Sequence, residues 1–268
     1  MAKVLGDPMV GQTLSLFRYL LLPVLNRRLA VLASILFVVA MLLASYASEL
    51  AIINSERISA AVLGDFLRYS LVFLALLLVT SNVAEDYESK QLERLLTMPL
   101  SRWQYIVAQL LVILVIAAFL SLPVVVIVPF FTSIEIAVYW AVALWLEITL
   151  VSLIGLVGIL SLEKIPQAML FTIAIYLLAK FSAVISQMLS ESVKLSEESA
   201  YNIFVTLVFD GILHVMPASH AFAQNNIFFD PTLLPYALLS DQLLAVVIYS
   251  VFAIAVCLVD LYRKEFNL

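Results

Sequence analysis

The chain is poor in the residues that most chemistry uses. It has one cysteine, Cys257, and two histidines, His214 and His220, in 268 residues. A lone cysteine excludes an intrachain disulfide framework and any cysteine metal cluster. No HExxH, no paired glutamates with a downstream arginine and no Ser/His/Asp arrangement is present, so protease chemistry within a membrane finds no support. Charge is scarce as well: only 12% of residues are Asp, Glu, Lys or Arg, against 64% hydrophobic. A soluble domain carries roughly a quarter charged residues, and this chain could not cover its surface in water. The net charge of −5 is carried by short loops and says little about partners. No nucleic-acid partner is expected.

What the chain has instead is long apolar runs, and the mean hydropathy is +1.11. Runs of about 20 residues match a ~30 Å hydrocarbon core at 1.5 Å rise per residue. They fall near Leu29–Ser48, Gly64–Ala84, Tyr105–Phe131, Ile136–Leu160, Pro166–Leu189 and Gln242–Tyr262. Period-two alternation is absent, so the spans are read as helices rather than barrel strands. The first run exceeds the h-region of a signal peptide and follows about 28 residues of chain, so it is read as a retained span. The expected fold is an all-α polytopic membrane protein, a single domain over 1–268 with six transmembrane helices.

Lysines and arginines fall on one side of this topology. With a cytoplasmic N-terminus, that side holds Lys3, Arg18, Arg27, Arg28, Lys90, Arg94, Arg102, Lys164, Arg263 and Lys264. The opposite side holds Arg57, Arg68 and Lys194, while Lys180 falls within a span. Such a bias places both termini in the cytoplasm of a multi-pass protein of the plasma membrane.

Three segments stand outside the spans. Within 1–28, Leu14, Phe17, Leu21 and Leu25 recur at helical spacing beside Arg18, Arg27 and Arg28, the pattern of an interfacial helix. Residues 190–240 open polar, turn apolar over Ala200–Met216 around Asp210-Gly211, and close in a turn-rich stretch. With its central Asp-Gly that piece is marginal as a span, and it is read as a re-entrant or interfacial helix on the outer face. His214, Met216 and His220 lie there. Imidazole and thioether suit soft copper, but packing and polarity in a turn-rich loop are the plainer reading, and no metal ligand is assigned.

The third segment, residues 85–104, is the most informative. Glu85, Glu88 and Lys90 give a polar helix opening, and Leu92, Leu95 and Leu96 form an apolar patch at three- and four-residue spacing. Met98-Pro99 ends that helix, since proline disfavours helical geometry in the residue before it. Ser101 and Gln104 fit a capping box that starts the next span. A charged, amphipathic helix hung between two spans suits docking to a soluble protein.

The run LLTMPLSR, following an acid-rich start and preceding an apolar span, resembles the permeases of the ABC-2 type. There a Leu-Leu-x-x-Pro-x-Ser-Arg stretch after the second span contributes to the coupling helix, and Leu95, Leu96, Pro99, Ser101 and Arg102 match it in place. The resemblance extends over the whole architecture, though only about 20 residues carry motif-grade information. It implies the transmembrane subunit of an ATP-driven transporter, an exporter by analogy, paired with a second copy or homologue and with separate ATPase subunits. Glu85, Glu88, Leu92, Glu93, Arg94, Leu95, Leu96, Pro99, Ser101 and Arg102 would then couple to the ATPase. The leucines would fill a groove on it, with Glu88, Glu93 and Arg94 setting specificity.

No catalytic residue and no cofactor is expected in this chain. Gly6 to Thr13 has the spacing of a phosphate-binding loop, but Gln12 stands where its lysine belongs and no buried strand precedes it. ATP and Mg are expected only in the partner ATPase. Readings of other classes are an ATP-independent secondary transporter or channel, and a membrane anchor for an extracytoplasmic complex. A further expectation concerns charge at depth. Glu147 and Lys180 lie roughly 16 and 13 Å in from the outer ends of their spans, at 1.5 Å per residue, and are expected to meet. A lone charge there costs ~2.5 kcal/mol or more. Gly155 and Gly158, with Ser152 and Ser161, predict close helix packing, and Tyr139, Trp140 and Trp145 mark an interface or core.

Overall fold

The computed structural model describes residues 8–24, 27–51, 54–88, 102–193, 207–208, 211 and 236–263. These form α1 (Pro8–Val24), α2 (Arg27–Leu50), α3 (Ser55–Glu88), α4 (Arg102–Ile127), α5 (Ile134–Leu162), α6 (Ile165–Val193) and α7 (Tyr236–Arg263). A 3-10 turn, Val128–Phe130, follows α4, and no strand occurs among the described residues. Five stretches are long and apolar enough to cross a membrane: Leu29–Leu50, Ser55–Asp86, Arg102–Phe130, Ile134–Leu162 and Leu239–Arg263. In α6 the shorter stretch Ile165–Phe181 is apolar. The protein is thus an all-α polytopic membrane protein.

Local chemistry sets several of the boundaries. Asn54, at φ 55°, takes the left-handed conformation that asparagine tolerates, and its carbonyl accepts from the amides of Arg57 and Ile58 as α3 begins. Glu163 is left-handed too, at φ 60°, and its N–H donates to the Ile159 carbonyl at 3.0 Å. The chain therefore reverses within Glu163-Lys164, and Pro166 sits in the first turn of α6, where its missing N–H costs nothing. Pro123 lies inside α4, where it removes one helical hydrogen bond.

The centre of the bundle is α5. In its apolar window 78% of residues are buried, against 28% in α2 and 22% in α7. It packs on α3, α4, α6 and α7, while α2 lies against α3 and α1 against α4. The close approach is built on glycine. A Cβ at Gly155 would collide with the Leu76 side chain of α3, and one at Gly158 would press on the Ala168 backbone and Phe171 of α6. Trp140 is fully buried and Tyr139 nearly so, and the Trp145 indole donates to the Leu114 carbonyl of α4 at 3.2 Å. These aromatics are core. The outward faces of α2 and α7 carry Ile35, Val38, Leu42, Val247, Val251 and Phe252 exposed, as a lipid-facing surface requires.

In α1, Leu16 and Leu20 are buried, Phe17 and Leu21 half-buried and Leu14 exposed, while Leu25 lies outside the described residues. One expectation is revised. Glu85 and Glu88 do not open a separate helix, because α3 runs unbroken through both. A polar last turn continues a helix readily once it leaves an apolar core, and the fall in hydropathy there marks the edge of the core rather than a break.

Candidate functional site

Glu147, in the middle of α5, is completely buried. Its Oε2 accepts from Arg68 Nε of α3 at 2.7 Å. Its Oε1 accepts from the Tyr176 hydroxyl of α6 at 2.8 Å. Lys180 Nζ lies 3.0 Å from the same Oε1, an ion pair at contact distance. The Lys180 ammonium also sits 5.3 Å from the centre of the Tyr176 ring, and Tyr69 meets that ring edge-on at 6.5 Å. One carboxylate thus ties three helices together, with Asp65 of α3 within electrostatic range of Lys180. Arg68, Tyr176 and Lys180 surround one buried carboxylate, which gives each charge at this depth a partner.

The pairing of Glu147 with Lys180 was visible in the sequence; Arg68 and Tyr176 were not. The charge bias puts Arg68 among the outward cations, yet its side chain is 7% exposed and lies inside the long α3. The available signal was its position within the second apolar run, where any cation needs a partner.

A second set of polar contacts gathers at the end of the bundle where α3 stops and α4 begins. Asp86, buried, accepts from the Tyr105 hydroxyl at 3.2 Å, joining α3 to α4. Arg102 Nη1 donates to the Leu261 carbonyl of α7 at 2.5 Å, and its guanidinium stacks 4.8 Å from the centre of the Tyr262 ring. Ser161 at the end of α5 donates to Asp260 of α7. Arg102, expected on a docking surface, is therefore engaged within its own chain.

Of the other coupling residues, Leu92, Glu93, Arg94, Leu95, Leu96, Pro99 and Ser101 lie outside the described residues, as do His214, Met216, His220 and most of 190–240. α4 begins at Arg102, directly after Ser101. Gly11, Gln12 and Thr13 are helical residues of α1, so they form no phosphate-cradling loop. Among the described residues no group of three or more His, Cys, Asp or Glu gathers as a metal site would need. No protein-family model matches the chain, and no curated protein matches it.

Proposed function

We propose that this chain is the membrane-spanning subunit of an ATP-driven transporter of the ABC-2 permease type, an exporter that works as a pair with a second copy or homologue. It spans the plasma membrane six times with both termini cytoplasmic, α6 supplying the sixth crossing and the part of residues 190–240 between α6 and α7 an outer re-entrant segment. Residues 89–101 dock a separate ATPase that supplies ATP and Mg. The observation that carries this reading is the run LLTMPLSR, which follows α3 and ends on Arg102, the first residue of α4. Around it, α3, α4, α5 and α7 are cross-linked by polar contacts, as suits a bundle end that receives force.

The test is co-purification with an ATPase encoded beside this chain. The pair should hydrolyse ATP with vanadate sensitivity, and the chain alone should not. Substituting Leu95 and Leu96 by alanine, or reversing charge with Glu93→Lys, should weaken the complex while insertion persists; a lost apolar anchor costs about 2 kcal/mol. Undiminished co-purification after the double leucine substitution, or hydrolysis by the chain alone, rejects the reading.

The buried cluster around Glu147 favours a second reading, an ion-coupled carrier that needs no ATPase, because intramembrane ionisable groups mark ion pathways. Proton flux through liposomes containing this chain alone, abolished by Glu147→Gln, would establish it.

A further inference from the structure

We propose that Arg102 is a positioning residue that couples the α3–α4 connection to the last span by holding the C-terminal end of α7 against the start of α4. Its coupling role rests on the transporter reading; its holding role does not. Leu261 is fully buried, and its carbonyl lies in the last described turn of α7. The carbonyl end of a helix carries partial negative charge, so a guanidinium is a fitting donor there. Arg102 donates to this carbonyl at 2.5 Å while its guanidinium lies 4.8 Å from the centre of the Tyr262 ring. A guanidinium can do both at once through its planar fork, whereas an ammonium is a point charge.

Position makes the contact more than a local bond. Arg102 is the first residue of α4, so displacement of the preceding chain reaches it before any other residue of that helix. One turn on, Tyr105 holds Asp86 of α3, and one residue before Leu261, Asp260 takes the Ser161 hydroxyl of α5. The start of α4 is thus bonded to both the helix that precedes the connection and the last helix of the chain. A push on the connection moves α7 together with α4, and without Arg102 it moves α4 alone.

Distances between spin labels test this in lipid nanodiscs, on a Cys257→Ala background. With labels at Trp103→Cys on α4 and Val259→Cys on α7, both exposed positions, Arg102 should give one narrow separation. Arg102→Ala should lengthen and broaden it, and Arg102→Lys should restore it in part. Tyr262→Leu, which spares the carbonyl contact, should broaden it less and serves if Arg102→Ala fails to fold. An unchanged separation in these variants overturns the holding role. In complex with the ATPase, a reference label at Val31→Cys on α2 then reports on each helix. Trapping with ATP and vanadate should shift both α4 and α7 relative to α2 when Arg102 is present, and only α4 in Arg102→Ala. An equal shift of α7 in that variant overturns the coupling role. Failure of every ATPase to bind instead rejects the transporter reading and the coupling role with it, while the α4–α7 separation still decides the holding role.

Discussion

Arg68 and Glu147, 79 positions apart, meet at 2.7 Å in the interior of the bundle, and the glutamate has no exposed surface at all. Lys180 and Tyr176 complete the carboxylate's contacts, so its removal and that of either cation are unequal events. Glu147→Gln leaves two cations without their shared partner and should cost about 3–5 kcal/mol. Lys180→Met leaves Glu147 with Arg68 and Tyr176 and should cost about 1 kcal/mol. The Lys180 side chain is 15% exposed and that of Arg68 7%, and the Lys180 ammonium itself is buried. The double variant Arg68→Met with Glu147→Gln should therefore be more stable than Glu147→Gln alone, as thermal unfolding in detergent would show. Additive losses would mean that the pair is not energetically coupled.

Glycines 155 and 158 make a different demand. At Gly155 a new methyl group meets the end of the Leu76 side chain, which can rotate away. At Gly158 it meets the Ala168 backbone at 3.3–3.4 Å, which can yield only by shifting α6. Gly155→Ala should cost about 1 kcal/mol and be relieved by adding Leu76→Ala, while Gly158→Leu should cost about 3 kcal/mol. Unfolding of the three variants and of the double one would decide between close packing and mere tolerance of small residues.

These cases show what the sequence makes legible. Hydropathy runs locate α2, α3, α4, α5 and α7 because lipid demands long apolar helices with satisfied backbones. Gly155 and Gly158 read as packing positions because their spacing puts them on neighbouring turns. Glu147 and Lys180 could be paired because their depths agree. Arg68 escaped because its depth depends on where α3 begins, and α3 extends to Ser55, well before its apolar run. The partner of Arg102 escaped for another reason. It is a main-chain carbonyl 159 positions away, and no side-chain pattern marks which carbonyl a distant arginine meets.

Asp86 and Tyr105 offer a hydrogen bond that a single atom controls. Tyr105→Phe removes the hydroxyl and leaves a buried carboxylate without that donor, which should cost about 1–3 kcal/mol. Asp86→Asn keeps an acceptor for the hydroxyl and removes the charge, so it should cost less. Combining Tyr105→Phe with Asp86→Asn should cost less than the sum of the two. Denaturation midpoints of the four proteins form the cycle, and a coupling near zero would mean that the 3.2 Å contact contributes nothing.

The topology itself can be tested by thiol chemistry. Cys257 is 1% exposed, so the unmodified protein should resist maleimides in intact cells and in membranes. On a Cys257→Ala background, Trp103→Cys and Arg263→Cys sit at one end of the bundle and Ile134→Cys at the other, all exposed. Helices that alternate in direction put the start of α4 with the end of α7, an arrangement that the Arg102–Leu261 contact requires. A membrane-impermeant maleimide applied to intact cells should therefore label Ile134→Cys and spare Trp103→Cys and Arg263→Cys, and inverted vesicles should reverse the pattern. Labelling of Trp103→Cys and Ile134→Cys from the same side would deny that α4 crosses the membrane. Labelling of Trp103→Cys and Arg263→Cys from outside would keep the bundle but turn it over, and residues 89–101 could then meet no cytoplasmic ATPase.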